Sequence, residues 1–325
     1  MPILIGNVQI NGKVILAPMA GITSFSYRKF MKQFGPSLEY TEMVSDCGLI
    51  YENKKTLAYL LSDGSDRPLA IQIFGGKTEQ LLEAIDIIEK TKVKYDILDL
   101  NLACPVPKVI KNNGGSSWLK DQEALYEMVS AVCKKSKKPV SCKIRLGFNE
   151  INIDETVQTL EKAGCKFIAI HARTKAQAYS GKANYEALKN VRDLIKIPFC
   201  ISGDIYSVDD AINALKITRA NCVMVARGGV GNPKLIQNLN LYFENKPYDE
   251  NLNFDEQAIY LKEYMGYLIE EYGEEKAISL LRGIAPKFFT KIPNTKDIRV
   301  RLAQNINKKS DVLKILDLYK NNNSF

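Results

Sequence analysis

Short runs of apolar and β-branched residues recur through the first two thirds of the chain, separated by longer amphipathic stretches. Compact apolar runs are typical of buried strands, whereas apolar residues spaced three or four apart indicate helices. The pattern predicts strands at Val14–Leu16, Leu38–Thr41, Leu69–Phe74, Ile97–Leu100, Val140–Ile144, Phe167–His171, Phe199–Ser202 and Cys222–Ala226. It predicts helices between them, most clearly at Thr78–Lys90, Asp121–Lys135, Asp154–Ala163 and Tyr185–Ile195.

Strands and helices that alternate in this way indicate the α/β fold class. Eight strands, most of them followed directly by polar residues, favour a (β/α)8 TIM barrel of about 250 residues. A doubly wound open sheet is the alternative. From about residue 250 the pattern is helical only, so we predict a barrel domain at 1–245 and an all-helical domain at 246–325. The helices predicted in the second domain are Asp255–Tyr272, Glu275–Phe289, Thr295–Asn305 and Ser310–Asn321.

The composition excludes several classes of protein. Hydrophobic residues make up 46% and charged residues 25% of the 325 positions, which is typical of a folded globular protein. The apolar runs are strand-sized, far below the roughly 20 residues that span a bilayer. The N-terminus shows no secretory signal. We therefore expect a cytoplasmic protein without a membrane segment, and we expect a monomer.

Cysteine and histidine are arranged in a way that disfavours a metal site. The seven cysteines are scattered without a CxxC pair, and the chain has one histidine. Zinc sites and disulfide frameworks both need closely spaced ligands or paired cysteines. We expect no metal, and the cysteines are expected to be small buried thiols unless one occupies a chemically special position.

The positive charge is concentrated at the C-terminal end. The net charge of the chain is +8, and residues 276–325 carry 11 Lys and Arg against 3 Asp and Glu. A basic segment beside a nearly neutral body favours a polyanionic partner, with nucleic acid ahead of membrane. A solvated helical surface is the alternative interpretation of the same charges.

Polar residues stand within predicted strands that are mostly apolar, among them Gln72, Lys143 and His171. Buried polar groups are costly unless they have partners. A flavin would supply them, because Gln72 suits its pyrimidine edge and Lys143 suits the charge of its reduced form. In barrels the loops after the last two strands commonly bind phosphate, and here they contain Gly203 and Arg227.

The most specific segment runs from Asp99 to Lys108 and includes Asn101 and Cys104-Pro105. It resembles the signature of the tRNA-dihydrouridine synthase family. Further matching segments are Ala17 to Thr23, Gln72 to Gly75, Lys143 to Gly147, His171 to Thr174, Tyr179 to Ala183, Gly203 to Ile205, and Arg227-Gly228. The departures are small residues, since Ala103, Ser202 and Ala226 stand where the family usually has Gly, Asn and Gly.

The resemblance implies an FMN enzyme that reduces uridine in tRNA, with NADPH, or alternatively NADH, as the reductant. It implies that Cys104 donates the proton and that the C-terminal helical domain binds tRNA. The resemblance also implies that Asn101 and Tyr179 hold the uracil. Separately, Lys108 and Arg145 are basic residues expected around the mouth of the site, where they would face RNA phosphates. The residues expected to contact FMN are Pro18, Met19, Ala20, Gln72, Lys143, His171, Ser202, Gly203, Asp204, Ala226, Arg227 and Gly228.

Two other functions remain open at this point. An FMN barrel that reduces or oxidises a free pyrimidine would be similar to the dihydroorotate dehydrogenases, and tRNA binding would distinguish it. A flavin-free RNA-binding barrel is the second alternative, and a yellow purified protein would exclude it. Which tRNA uridine is reduced does not follow from the sequence.

Overall fold

The structure, a computed structural model, describes residues 2–322 of the chain. Residues 323–325 of the predicted C-terminal domain lie outside the described residues, as does the side chain of Lys320 in its basic segment. Eleven strands are present in the described part of the chain. They are β1 Ile3–Ile5, β2 Val8–Ile10, β3 Val14–Leu16, β4 Glu39–Tyr40, β5 Val44–Ser45, β6 Leu69–Phe74, β7 Ile97–Leu102, β8 Val140–Arg145, β9 Phe167–His171, β10 Phe199–Ser202 and β11 Cys222–Val225.

Strands β3 to β11 form a parallel ring. Each strand from β6 to β11 pairs with the next in sequence, and β11 pairs with β3. The last gap is closed by a parallel bridge between Ile15 and Leu38, supported by a hydrogen bond from the Leu16 N–H to the Leu38 carbonyl at 3.0 Å. Because β4 and β5 both pair with β6 and share the second position, the ring has eight strand positions. The predicted (β/α)8 barrel is confirmed.

Helices surround the barrel and continue beyond it. Many begin at a side chain that caps their free N–H groups, as Asp121 does for the N–H groups of Glu123 and Ala124. The helices are α1 Phe25–Lys32, α2 Asp46–Ile50, α3 Lys54–Ala58, α4 Thr78–Lys90, α5 Pro107–Lys111, α6 Gln122–Lys135, α7 Ile153–Lys162, α8 Val191–Leu194, α9 Val208–Thr218, α10 Lys234–Phe243, α11 Phe254–Tyr272, α12 Glu274–Leu281, α13 Lys296–Gln304 and α14 Lys309–Asn322. None of the described helices is long and apolar enough to cross a membrane.

The second strand position of the barrel is occupied by two short strands, β4 and β5, and not by the single strand predicted at Leu38–Thr41. Tyr40 pairs with Ala70 and Val44 pairs with Ile73, so four steps on one strand face three on the other. An extra residue of this kind is a bulge, which bends the strand and redirects side chains. Pairing is lost between β4 and β5, and Thr41 Oγ1 there accepts a hydrogen bond from the Gln72 N–H at 3.1 Å.

Two predicted helices are wrong in extent. The segment predicted at Tyr185–Ile195 forms a 3-10 turn at Glu186–Leu188 and the short helix α8, because its apolar residues repeat every three positions and fit a 3-10 period equally well. The segment predicted at Glu275–Phe289 ends as an α-helix at Leu281 and continues as a 3-10 turn at Ala285–Phe289. Pro286 has no N–H to continue the helix.

The hairpin of β1 and β2, which the sequence pattern did not predict, closes the lower end of the barrel. Ile3, Ile5 and Ile10 are buried in one cluster with lumen residues such as Tyr40 and Phe167. Side chains alternate along each strand, so every second residue faces the lumen. The lower lumen is therefore apolar and sealed, whereas polar side chains occupy the upper lumen.

The C-terminal helices pack against α1 through aromatic rings. The ring centroids of Tyr27 and Tyr264 are 5.6 Å apart in an edge-on arrangement, and those of Phe34 and Tyr260 are 5.1 Å apart. The 3-10 turn at Ala285–Phe289 also lies against the loop after β11, where its backbone approaches Gly231 closely. This packing holds the helical region beside the upper end of the barrel.

Candidate active site

A cavity of about 350 Å³ opens at the carboxyl ends of the barrel strands. Its volume lies within the range of roughly 300–1,000 Å³ that is usual for ligand sites. The predicted residues that line it are Pro18, Met19, Ala20, Gln72, Asn101, Cys104, Lys143, Arg145, His171, Tyr179, Ser202, Gly203, Asp204, Ala226, Arg227 and Gly228. Lys108 does not line the cavity and is exposed on α5.

Several lining residues were not found from the sequence. Met43 reaches the cavity from the bulged stretch between β4 and β5, and Met224 comes from the lumen face of β11. Val106 and Tyr206 stand at the rim, with exposed fractions of 46% and 37%. Met224 was detectable from strand alternation, but Met43 was not, because its position depends on the bulge.

A row of buried polar side chains lies across three neighbouring strands. The register pairs Gln72 on β6 with Asp99 on β7, and Asp99 with Ser141 on β8. Gln72 Nε2 donates to Asp99 Oδ2 at 2.7 Å, and Ser141 Oγ donates to Asp99 Oδ1. Burial raises the pKa of Asp99 to about 6, against the opposing effect of these hydrogen bonds and of Lys143.

The loop that carries Cys104 is held from several sides. Asn101 Oδ1 accepts hydrogen bonds from the N–H groups of Ala103 at 3.1 Å and Cys104 at 2.9 Å. Arg145 Nε donates to the Ala103 carbonyl at 2.7 Å, and Ser116 Oγ donates to the Cys104 carbonyl at 2.9 Å. The backbone on both sides of the thiol is therefore fixed by buried groups.

Asn101 and Arg145 are largely occupied by the protein itself. Asn101 Nδ2 donates to Gln72 Oε1 at 2.8 Å and contacts Met43 Sδ at 3.6 Å. Arg145 Nη1 donates to the carbonyls of Thr174 and Ala178 at 3.0 and 2.8 Å. Both side chains border the cavity, but most of their hydrogen-bonding groups point at protein atoms rather than into it.

The Cys104 thiol borders the cavity and is 8% exposed. Burial raises its pKa above the ordinary value, although the Val106 N–H and the nearby Arg145 and Lys143 act in the opposite direction. A thiol with a raised pKa stays protonated at neutral pH. The Cys104 thiol therefore holds its proton at the wall of the cavity.

Lys143 on β8 faces the same cavity and makes no side-chain hydrogen bond within the described residues. Burial lowers its pKa to about 8, and the positive charge of Arg145 acts in the same direction. An amine of this kind is still mainly cationic at neutral pH. It leaves a buried positive charge available to an anionic or electron-rich ligand.

His171, at the end of β9, is uncharged. Burial lowers its pKa to about 2, and Lys143, Arg145, Arg173 and Arg227 act in the same direction. Arg173 Nη1 lies 3.3 Å from His171 Nε2. A guanidinium can only donate, so Nε2 accepts and the proton resides on Nδ1. His171 is therefore a neutral Nδ1–H donor rather than an acid.

The loops after β10 and β11 each place a glycine at the cavity wall, so that their backbone comes close to the cavity. Gly203 has φ +114°, and a Cβ there would lie 2.9 Å from His171 Cδ2. A Cβ on Gly228 would lie 2.0 Å from the Ile205 carbonyl oxygen. Side chains are excluded at both positions, so backbone N–H groups can come close to a ligand.

Charged and aromatic side chains surround these glycines. Asp204 accepts a hydrogen bond from Arg173 at 2.6 Å and lies 3.7 Å from Arg227. Tyr179, which is 58% exposed, has the guanidinium of Arg145 at 5.5 Å and that of Arg227 at 5.1 Å from its ring centroid. Tyr179 thus lies close to two cations at the cavity rim.

The cavity has the features that a flavin phosphate and ring would need. Glycine backbone and Arg227 adjoin one side, and the unpartnered Lys143 lies with Gln72 on the floor. The donor set contains backbone N–H groups, an ammonium and an amide, which match a phosphate and a pyrimidine edge. In residues 2–322, no three His, Cys, Asp or Glu side chains are grouped so as to hold a metal ion.

Comparison with known proteins gives a match over nearly the whole chain. The family described as dihydrouridine synthase (Dus) matches residues 15–323. The probable tRNA-dihydrouridine synthase of Aquifex aeolicus is 32% identical over 308 residues, which cover 94% of this chain and 95% of that protein. The probable tRNA-dihydrouridine synthase of Rickettsia bellii is 31% identical over 91% of both chains.

Solved structures agree with the fold at low identity. The old yellow enzyme homologue from Zymomonas mobilis has a TM-score of 0.52 at 12% identity, covering 76% of this chain and 93% of that one. Histamine dehydrogenase from Rhizobium sp. 4-9 has a TM-score of 0.54 at 12% identity, over 82% of this chain and 50% of that one. These likenesses show the fold alone. The match to the family and the identity to its members show that the chain belongs to the dihydrouridine synthase family.

Proposed function

We propose that this protein is a tRNA-dihydrouridine synthase, which reduces the 5,6 double bond of uridine in tRNA with Cys104 as the proton donor. The observation that carries the proposal is the protonated Cys104 thiol, fixed by its loop at the wall of the cavity of about 350 Å³. Family membership and the names of relatives from Aquifex aeolicus and Rickettsia bellii support the same activity.

FMN is the proposed cofactor and NADPH the proposed reductant. Gly203, Gly228 and Arg227 would hold the phosphate, while Gln72 and Lys143 would contact the ring system. Gln72 has one Nε2 hydrogen left for this contact, because Asp99 takes the other and Asn101 occupies Oε1. When bound, the reduced flavin supplies the hydride for the base.

The protein's own residues contribute a proton, charge and orientation. Cys104 holds its proton at Sγ until carbon 5 of the reduced base can accept it. Negative charge on the uracil carbonyl is stabilised by the cations Lys143 and Arg145. Tyr179 offers an aromatic face at the rim on which an unstacked base can lie, which is how proteins commonly bind a base taken out of its RNA stack.

The proposed division of labour assigns residues 1–245 to catalysis and 246–325 to tRNA binding. The basic helical region lies beside the cavity, since Lys291 Nζ donates to the Tyr206 carbonyl at 3.1 Å and Tyr206 lines the rim. Its exposed cations suit a phosphate backbone. We propose further that the protein acts as a monomer in the cytoplasm.

The activity is tested with purified protein, NADPH and tRNA transcribed without modifications. We expect dihydrouridine in nuclease digests analysed by mass spectrometry, and mapping the digest identifies the position. Denatured protein should release FMN. Product formed from free uracil or orotate, with none from tRNA, would support the free-pyrimidine alternative, and a colourless protein would support the flavin-free alternative.

A further inference from the structure

Asp99 is a buried carboxylate that the proposed mechanism does not use. Its exposed fraction is 0%, and it does not line the cavity. It is therefore separated from the space in which cofactor and substrate would bind. Burial of a carboxylate costs free energy even when the group is hydrogen-bonded. The hydrogen bonds of Asp99 are therefore the feature through which it can act.

Asp99 determines how the side-chain amide of Gln72 is oriented. An ionised carboxylate can only accept hydrogen bonds, so Gln72 must turn its Nε2 toward Asp99. The Gln72 Oε1 atom then faces the other way and accepts from Asn101 Nδ2 at 2.8 Å. An amide has no such preference by itself, because its oxygen and nitrogen ends have nearly the same shape.

The orientation of Gln72 in turn determines that of Asn101, which holds the loop of Cys104. Because Asn101 turns Nδ2 toward Gln72, its Oδ1 faces the backbone N–H groups of Ala103 and Cys104 at 3.1 and 2.9 Å. A flipped Asn101 would present an N–H to those N–H groups and lose both hydrogen bonds. Asp99, Gln72 and Asn101 form a chain that we name the amide relay.

We propose that Asp99 is a positioning residue that acts through the amide relay to fix the backbone of Cys104, and hence the thiol, against the cavity. Its importance for turnover rests on the proposed function, whereas its effect on the thiol itself does not. Asp99 is two hydrogen-bonded side chains away from the Cys104 backbone. The coupling is therefore carried by amide orientation rather than by contact.

The test measures alkylation of Cys104 by iodoacetamide in the purified protein, followed on the Cys104 peptide by mass spectrometry across pH. Asp99→Leu removes the acceptor and frees Gln72 to flip, so the loop loosens and the thiol becomes more accessible. We expect alkylation at least about threefold faster at neutral pH and a lower apparent pKa of Cys104. Of the charged groups facing this thiol, Arg145 is unchanged in the variant, whereas loss of Asp99 lowers the pKa of Lys143 further, which by itself would raise and not lower the pKa of Cys104.

Two companion variants separate orientation from charge and from general loosening. Asp99→Asn keeps an acceptor oxygen for Gln72, while its new N–H group can donate to Ser141, so near wild-type alkylation is expected. Glu39→Leu removes an equally buried carboxylate whose charged neighbours lie outside the relay, and Cys104 alkylation should not change. Equal acceleration in Asp99→Asn or in Glu39→Leu overturns the proposal.

A double-mutant cycle tests the route. Asn101→Ala should accelerate alkylation by itself, and adding Asp99→Leu should then have no further effect. Effects that multiply, or a wild-type rate in Asp99→Leu, contradict the relay. If Asp99→Leu does not fold, Asp99→Ser replaces it, since its hydroxyl is too short to reach Gln72. Because the readout uses no tRNA, a protein that fails to make dihydrouridine can still pass or fail this test.

Discussion

Burial is the main cause of the pKa shifts of the side chains around the cavity, and its effect differs from group to group. Removal from water raises the pKa of Cys104 and lowers that of Lys143 and His171. In each case the uncharged form gains. The consequence is a protonated thiol, a neutral imidazole and a lysine that keeps most of its charge, all within one pocket at neutral pH.

The Cys104 thiol is expected to act only in its protonated form. Cys104→Ser and Cys104→Ala should retain FMN and tRNA but lose turnover by about 10²-fold or more. Reduction of the flavin by NADPH should be nearly normal, because that half-reaction needs no thiol. Single-turnover oxidation of prereduced enzyme by tRNA is the measurement, and a wild-type rate in Cys104→Ala would end the assignment.

The pH dependence of the same single-turnover step follows from the raised pKa. Ionisation of Cys104 should reduce the rate only as pH rises through a pKa above the ordinary thiol range, whereas loss of the Lys143 proton, with a pKa of about 8, should reduce it earlier. A midpoint below pH ~8 for the thiol itself would show that Cys104 is not shielded as the structure indicates.

His171 is the only histidine, so its protonation can be observed without interference. We expect two-bond ¹H–¹⁵N spectra to show the Nδ1–H tautomer, with no titration between about pH 5 and 8. The reason is burial among cations, with Arg173 donating to Nε2. A midpoint near the usual imidazole pKa would contradict this arrangement, and Arg173→Lys should be more permissive to the other tautomer.

At the scale of elements, the site depends on where strands end and how tightly the following turns pass one another. The turn after β11 fits under the Ile205 carbonyl only because residue 228 has no side chain. The turn after β10 needs the positive φ of Gly203 next to His171. These two turns form the wall assigned to the phosphate.

Gly228→Ala should separate those turns. The added methyl group would lie 2.0 Å from a backbone oxygen, so the backbone must move and the phosphate contacts are lost. We expect FMN affinity to fall at least about tenfold, or about 1.4 kcal/mol. Fluorescence titration of FMN into apoprotein measures it. Gly229→Ala is the control, since its methyl group would meet only side chains, those of Val225 at 3.2 Å and Met31 at 3.9 Å.

The strands were predictable from the sequence to within a few residues because their apolar runs are compact, and the positions of Gln72, Lys143 and His171 within them pointed to the cavity. The bulge between β4 and β5 was not predictable, because it depends on pairing with β6. For the same reason Met43 was missed. Asp99 begins the segment that resembles the family signature, but its role depends on strand register, which a local sequence pattern does not contain.

At the scale of the whole molecule, the helical region and the barrel share a packed interface. Tyr27 and Phe30 on α1, and Phe34 just after it, are covered by rings from the C-terminal helices. Removing residues 250–325 would expose these rings, so truncation would test folding as much as RNA binding. Changing surface charge is the cleaner way to examine the role of this region.

The pair Lys287→Gln and Lys291→Gln should weaken tRNA binding, since both residues are exposed on the segment next to the cavity rim. Each lost phosphate contact should reduce the slope of log affinity against log salt by about 1. Filter binding across a salt series measures this slope. Lys308→Gln with Lys309→Gln removes the same charge elsewhere, and an equal loss there would argue against a localised RNA surface.

The apolar hairpin closes the lower end of the barrel. This restricts how two large reactants can reach the cavity. With Ile3, Ile5 and Ile10 closing that end, the described part of the chain admits molecules to the cavity from above. A dinucleotide and a tRNA must then visit in turn, each leaving before the other enters. Initial-rate plots should give parallel lines, with each substrate inhibiting competitively against the other at high concentration, whereas intersecting lines would require a second entrance.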